Sequence, residues 1–83
     1  MRLDKYLKVS RLIKRRSVAN EAVGTTRVLL NGREVKPAAQ VKIGDLITLR
    51  FGSRTLVVQV EEVREHALKA DASDLYTILE DNA

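Results

Sequence analysis

Leu3, Tyr6, Leu7, Val9, Leu12 and Ile13 recur at three- and four-residue intervals between residues 2 and 16, which predicts a helix with one buried face. Basic residues fill the positions between them. Lys5, Lys8 and Arg11 are spaced three apart and share a neighbouring stripe on any continuous helix, while Ser10 is a point where the run can divide into a short helix and a turn. Ser17 reads as the N-cap of a second helix, with Val18, Ala19, Ala22 and Val23 as its apolar face and Glu21 beside its positive end. Gly24 is the expected stop.

Beyond Gly24 the period shortens from near four to two. Val28-Leu29-Leu30 is a short strand, Asn31-Gly32 is a hairpin signal, and Arg33-Glu34-Val35 is the expected return strand, ended by Pro37. Gly44-Asp45 is a turn before the strand Leu46–Phe51, and Gly52-Ser53 precedes the strand Thr55–Val60, with Val63 continuing its apolar pattern. From Ala67 the pattern is open: Leu68, Leu75, Tyr76, Ile78 and Leu79 cover the sheet either as a short helix or as an added strand. Helices followed by strands imply an α+β domain, two N-terminal helices packed on a small, mostly antiparallel sheet. Residues 1–66 are expected to form the domain and residues 67–83 a C-terminal extension packed on it.

Length and composition narrow the class. A chain of 83 residues accommodates one small core, and 45% apolar with 31% charged residues is a globular balance. Cysteine is absent, so neither disulfides nor thiolate metal sites contribute, as suits a reducing compartment. No uninterrupted apolar run exceeds three residues, far below the ~20 that span a bilayer, and the start has no signal-peptide pattern. The expected location is therefore the cytoplasm, with no membrane partner.

Charge is unevenly placed within the net +4. Arg2, Lys5, Lys8, Arg11, Lys14, Arg15 and Arg16 face Asp4 alone in residues 1–16, a local +6, whereas from Glu61 onward seven acids face only Arg64 and Lys69. Crowded cations repel one another, a cost that a polyanion relieves, so nucleic acid is the leading partner class. The alternative is a charged helix face that is merely solvated. Tyr6, Phe51 and Tyr76 are the only aromatics. Tyr6 and Phe51 are expected in the core, which disfavours reading of single strands by stacked bases and favours phosphates and shape.

Chemistry of other kinds finds little support. His66, the single histidine, lies in the acidic stretch and reads as a surface residue; adjacent Glu61 and Glu62 read as a solubilising pair on a strand. The glycines form neither a dinucleotide fingerprint nor a phosphate loop. A catalytic constellation, a metal site and a cofactor are all not expected.

The ordered combination Arg2-Leu3-Asp4-Lys5-Tyr6-Leu7, Arg11-Leu12-Ile13-Lys14-Arg15-Arg16-Ser17, Val28, Asn31-Gly32, Lys36-Pro37 and Gly44-Asp45 resembles the S-four-type RNA-binding domain over residues 2–51. The resemblance implies two helices and a hairpin that form an L-shaped basic surface docking on structured RNA. On it, Arg2, Lys5, Lys8, Arg11, Lys14, Arg15, Arg16 and Lys36 become the candidate RNA contacts. Asp4 either orients Arg2 or an arginine of the second segment, or lies against RNA directly. With the closing Asp74–Leu79 included, the chain looks like the stand-alone branch of that family in bacterial ribosome-associated quality control, relatives of the small ribosome-associated heat-shock protein. That likeness implies contact with large-subunit ribosomal RNA and P-site tRNA on a large ribosomal subunit that still holds peptidyl-tRNA, acting with RqcH while alanines are added to the stalled chain. It also implies a non-enzymatic module, a monomer off the ribosome. Two alternatives stand: a general ribosome-assembly or heat-shock recycling factor, and a protein module that self-associates through sheet edges and opposite charged ends. In one respect the chain departs from the family pattern, which commonly has glycine directly before the Arg-Val that opens the first strand. Here Thr25-Thr26 precede Arg27, so that turn is expected to differ by about a residue.

Overall fold

The structure is a computed structural model describing residues 1–82. Two short helices, α1 (Leu3–Val9) and α2 (Arg16–Ala22), precede the strands β1 (Val28–Leu30), β2 (Leu46–Phe51), β3 (Arg54–Val60) and β4 (Tyr76–Asn82), with a one-turn 3-10 helix at Ala72–Leu75. The four strands form one sheet in the order β1-β2-β3-β4, and each neighbouring pair is antiparallel. One face of this sheet, carrying Val28, Leu30, Ile47, Leu49, Val58 and Val60, packs with Leu3, Tyr6 and Leu7 of α1 and Ala19 and Ala22 of α2 in a single core. Such burial of aliphatic side chains contributes about 25 cal/mol per Å² of apolar area.

Ser10 ends α1. Its amide donates to the Tyr6 carbonyl at 2.9 Å and its buried hydroxyl donates to the Leu7 carbonyl at 3.3 Å, while Arg11 takes a left-handed φ of 61°. Lys5, Lys8 and Arg11 therefore do not lie along one continuous helix; the chain turns at Arg11. The second helix starts two residues earlier than expected, with Arg15 in the N-cap position and no side chain closing it. Ser17 is thus inside the first turn, and Glu21 falls near the C-terminal end rather than the positive end. Gly24, at φ +93°, turns the chain after α2, and the Thr25 hydroxyl donates to the Ala22 carbonyl at 2.6 Å and accepts from the Arg27 amide at 3.1 Å. Threonine here closes the helix-to-strand turn that the sequence flagged as unusual.

Asn31 and Gly32 form the expected tight turn, with φ of 52° and 79° and reciprocal amide–carbonyl bonds between Leu30 and Arg33. Residues 33–35, however, form no return strand beyond that single bridge. Their continuation serves α1 instead: the carbonyls of Ala39 and Pro37 accept from the amides of Leu3 and Asp4, and Val41 donates to Met1. Free amides at a helix start need partners, and this loop supplies two. The partner of β1 is β2, drawn in by Asn31, whose side-chain oxygen accepts from the Leu46 amide at 2.9 Å.

The tail realises both sequence alternatives in succession, a helical turn and then a strand. Leu75 is fully buried, and its carbonyl accepts from the Tyr6 hydroxyl at 2.5 Å across 69 residues. Burial, with Tyr76 and Glu61 nearby, pushes the Tyr6 phenol above its ordinary range, so it remains a donor. Leu79 is unmatched in the β3–β4 register, a bulge, and Arg54 grips Asp81 through two 2.8 Å bonds beside it. Glu61 and Glu62 lie just past β3, with both amides donating to Leu75. Phe51 corrects a further expectation: at the last position of β2 it passes beyond the helical cover and is 45% exposed.

Candidate nucleic-acid interface

Asp4 is the organising residue of the basic end. It is buried in the first turn of α1 and receives Arg2 through two bonds of 3.2 and 3.3 Å, the Asn20 amide at 3.2 Å and the Lys5 backbone amide at 2.8 Å. Arg16 approaches to 3.5 Å. Burial alone raises a carboxyl pKa, but the Asn20 bond, the Arg16 charge, the Lys5 amide and the Arg2 charge outweigh it and hold Asp4 below the usual carboxylate range. One buried anion thereby fixes two guanidiniums whose side chains are still about half exposed, at 47% and 48%. Their free edges face solvent, where a phosphate can accept from them.

The remaining cations connect to this hub. Lys5, Lys8, Arg11 and Arg16 line one cleft with Glu65 and His66, and Lys8, Arg11 and Lys14 line a second with Lys69. A third cleft joins Arg2, Asp4, Arg16, Ser17 and Asn20. Arg16 belongs to two of them, as do Lys8 and Arg11, so the positive surface is continuous although α1 ends at Val9. Arg15 is exposed beside this surface, and Lys36 is exposed next to Pro37, whose carbonyl accepts from Asp4; neither lines these clefts.

Glu65 enters the cationic cleft and pairs with Lys5, whose hydrogen bond and charge lower the Glu65 pKa. The sequence places Glu65 and His66 in an acidic stretch with His66 at the surface, because nothing local to residues 61–70 reveals that this segment meets α1. Lys69 is not legible for the same reason, and Asn20 is not legible because a polar residue on α2 carries no local sign of the carboxylate it meets. Among the described residues, no group of three or more histidine, aspartate or glutamate side chains is placed to hold a metal ion. Among the described residues no helix is long and apolar enough to cross a membrane.

The S4 domain profile matches residues 1–47. The chain is 48% identical over 81 residues to the RQC P-site tRNA stabilizing factor of Bacillus subtilis, covering 98% of this chain and 94% of that protein. It is 32% identical over 83 residues to heat shock protein 15 of Escherichia coli, covering 100% of this chain and 61% of that protein. A trimeric structure of Vibrio cholerae heat shock protein 15 superposes with a TM-score of 0.87 at 35% identity, covering 94% of this chain and 80% of that one.

Proposed function

The chain belongs to the S4 domain family, and from that premise we propose that it is a non-enzymatic RNA-binding factor of bacterial ribosome-associated quality control. It binds the large ribosomal subunit that retains peptidyl-tRNA, touches ribosomal RNA and the P-site tRNA, and supports alanine tailing by RqcH in the cytoplasm. Residues 1–66 carry most of the RNA-binding surface and residues 67–82 brace it. The observation that carries this reading is the buried, ionised Asp4 holding Arg2 and Arg16 at the centre of a continuous cationic surface. Fixed guanidiniums recognise phosphates at a lower ordering cost than free ones. Lys5, Lys8, Arg11, Lys14, Arg15 and Lys36 surround them as further phosphate contacts.

Sedimentation of the tagged protein from a cell extract tests the proposal. Recovery with large subunits that carry peptidyl-tRNA, lost after nuclease treatment, is the expected result, and crosslinks should fall on large-subunit RNA and on tRNA. The likeness to heat shock protein 15 favours a second reading, a recycling factor in heat shock. Equal recovery with empty and peptidyl-tRNA-bearing subunits supports that reading. A salt-sensitive oligomer that forms without RNA, in place of a monomer, supports self-association.

A further inference from the structure

A fourth cleft, of about 300 Å³, lies between α2 and the end of β2. Its walls are Ile13, Val18, Phe51, Glu21, Arg27 and Arg50. The volume is at the lower end of small-ligand sites, ~300–1,000 Å³. Two of its apolar members are unusually bare: Val18 is 47% exposed although it lies on the expected apolar face of α2, and Phe51 is 45% exposed. Among the described residues neither the Arg27 nor the Arg50 side chain pairs with a carboxylate, in contrast to Arg2, Arg16, Arg54 and Arg64. The two arginines are neighbours across adjacent chain segments, since the Arg50 amide donates to the Arg27 carbonyl at 2.8 Å.

An aromatic face, aliphatic walls and two unneutralised guanidiniums match the parts of one nucleotide. A base stacks on an aromatic ring without regard to its sequence identity, and arginines take the phosphate. Glu21 decides the orientation. Its carboxylate repels phosphate, so the phosphate belongs on the Arg27/Arg50 side, and a base edge bearing amino hydrogens belongs toward Glu21. The cleft is also placed to cooperate with the basic surface, because Glu21 borders the Arg2–Asp4–Arg16 cleft as well. We propose that this cleft holds one unpaired nucleotide of the bound RNA, its base stacked on Phe51 and its phosphate on Arg27 and Arg50. The proposal rests on the RNA-binding reading and adds a contact to a base where that reading has phosphates alone.

The test uses the full chain and an RNA hairpin with a single unpaired guanine in its loop, compared with the same hairpin made abasic at that position. The expected result is at least about five-fold tighter binding of the guanine hairpin, the lower end of what one stacked base contributes. Phe51→Leu should erase that preference while leaving the salt dependence unchanged, since no phosphate contact is lost. The chain has no tryptophan, so Phe51→Trp introduces a single reporter whose fluorescence should be quenched by the guanine hairpin and not by the abasic one. Salt-dependent binding with no difference between the two hairpins overturns the nucleotide site and spares the RNA-binding reading. Absence of salt-dependent binding to either hairpin overturns both. A Phe51→Leu loss confined to whole ribosomal subunits, with both hairpins bound equally, assigns the cleft to a protein partner and overturns the proposal.

Discussion

Asp4 supports two neighbours at once, so its removal is predicted to have two readouts. Asp4→Asn leaves Arg2 and Arg16 without their anion and should cost on the order of 1–3 kcal/mol at neutral pH, the usual consequence of breaking charged hydrogen bonds at a buried group. The sign of the pH dependence follows from its lowered pKa. A carboxyl depressed in the folded state contributes its full stability above its unfolded value, ~3.9, and loses it as pH falls through the folded one. Acid melts should therefore show the wild type and Asp4→Asn converging below about pH 4; parallel curves down to pH 2 contradict the role. Arg15 and Arg16 make a contrasting pair. Replacing both with alanine should cost less than Asp4→Asn, because Arg2, Asn20 and the Lys5 amide still hold the buried Asp4 when Arg16 is gone, yet weaken recovery with large subunits, and unchanged co-sedimentation counts against the assignment. These cations were legible as a class because seven of them crowd into sixteen residues. Phe51 was not, since an apolar residue closing a β-strand has the same local pattern whether or not a helix reaches far enough to cover it.

At the scale of elements, most boundaries followed from period and punctuation, and the exceptions have separate causes. Asn31-Gly32 specifies a turn but not what pairs across it. Residues 33–35 gave way because the start of α1 needed acceptors and the loop through Pro37 and Ala39 provides them. The tail was ambiguous because its apolar residues serve two elements, Leu75 closing the core from a helical turn and Tyr76 opening β4. Leu75 is predicted to fasten the extension. Leu75→Ala should cost about 2–5 kcal/mol, the range for deleting a buried leucine side chain, and hydrogen exchange should rise first along β4. Protection in β4 that outlasts protection in β2 would show that the strand is anchored by the sheet alone.

For the whole molecule, the number of phosphates engaged is the quantity to measure. If roughly five of the seven N-terminal cations contact phosphates, log affinity should fall with log salt at a slope of about −3.5 to −4.5; a nearly flat response would make the basic surface a solvated face. The bracing of that surface comes late in the chain, because the Tyr6–Leu75 bond joins the first helix to the tail. Synthesis at ~5–20 residues per second separates those two residues by roughly 3–14 s. Before Glu65 is made Lys5 has no partner there, and before Leu75 is made Tyr6 has no acceptor there. Each newly made copy thus passes through an interval in which its positive segment is out but its bracing is not, and the ribosome making it is the RNA nearest to hand.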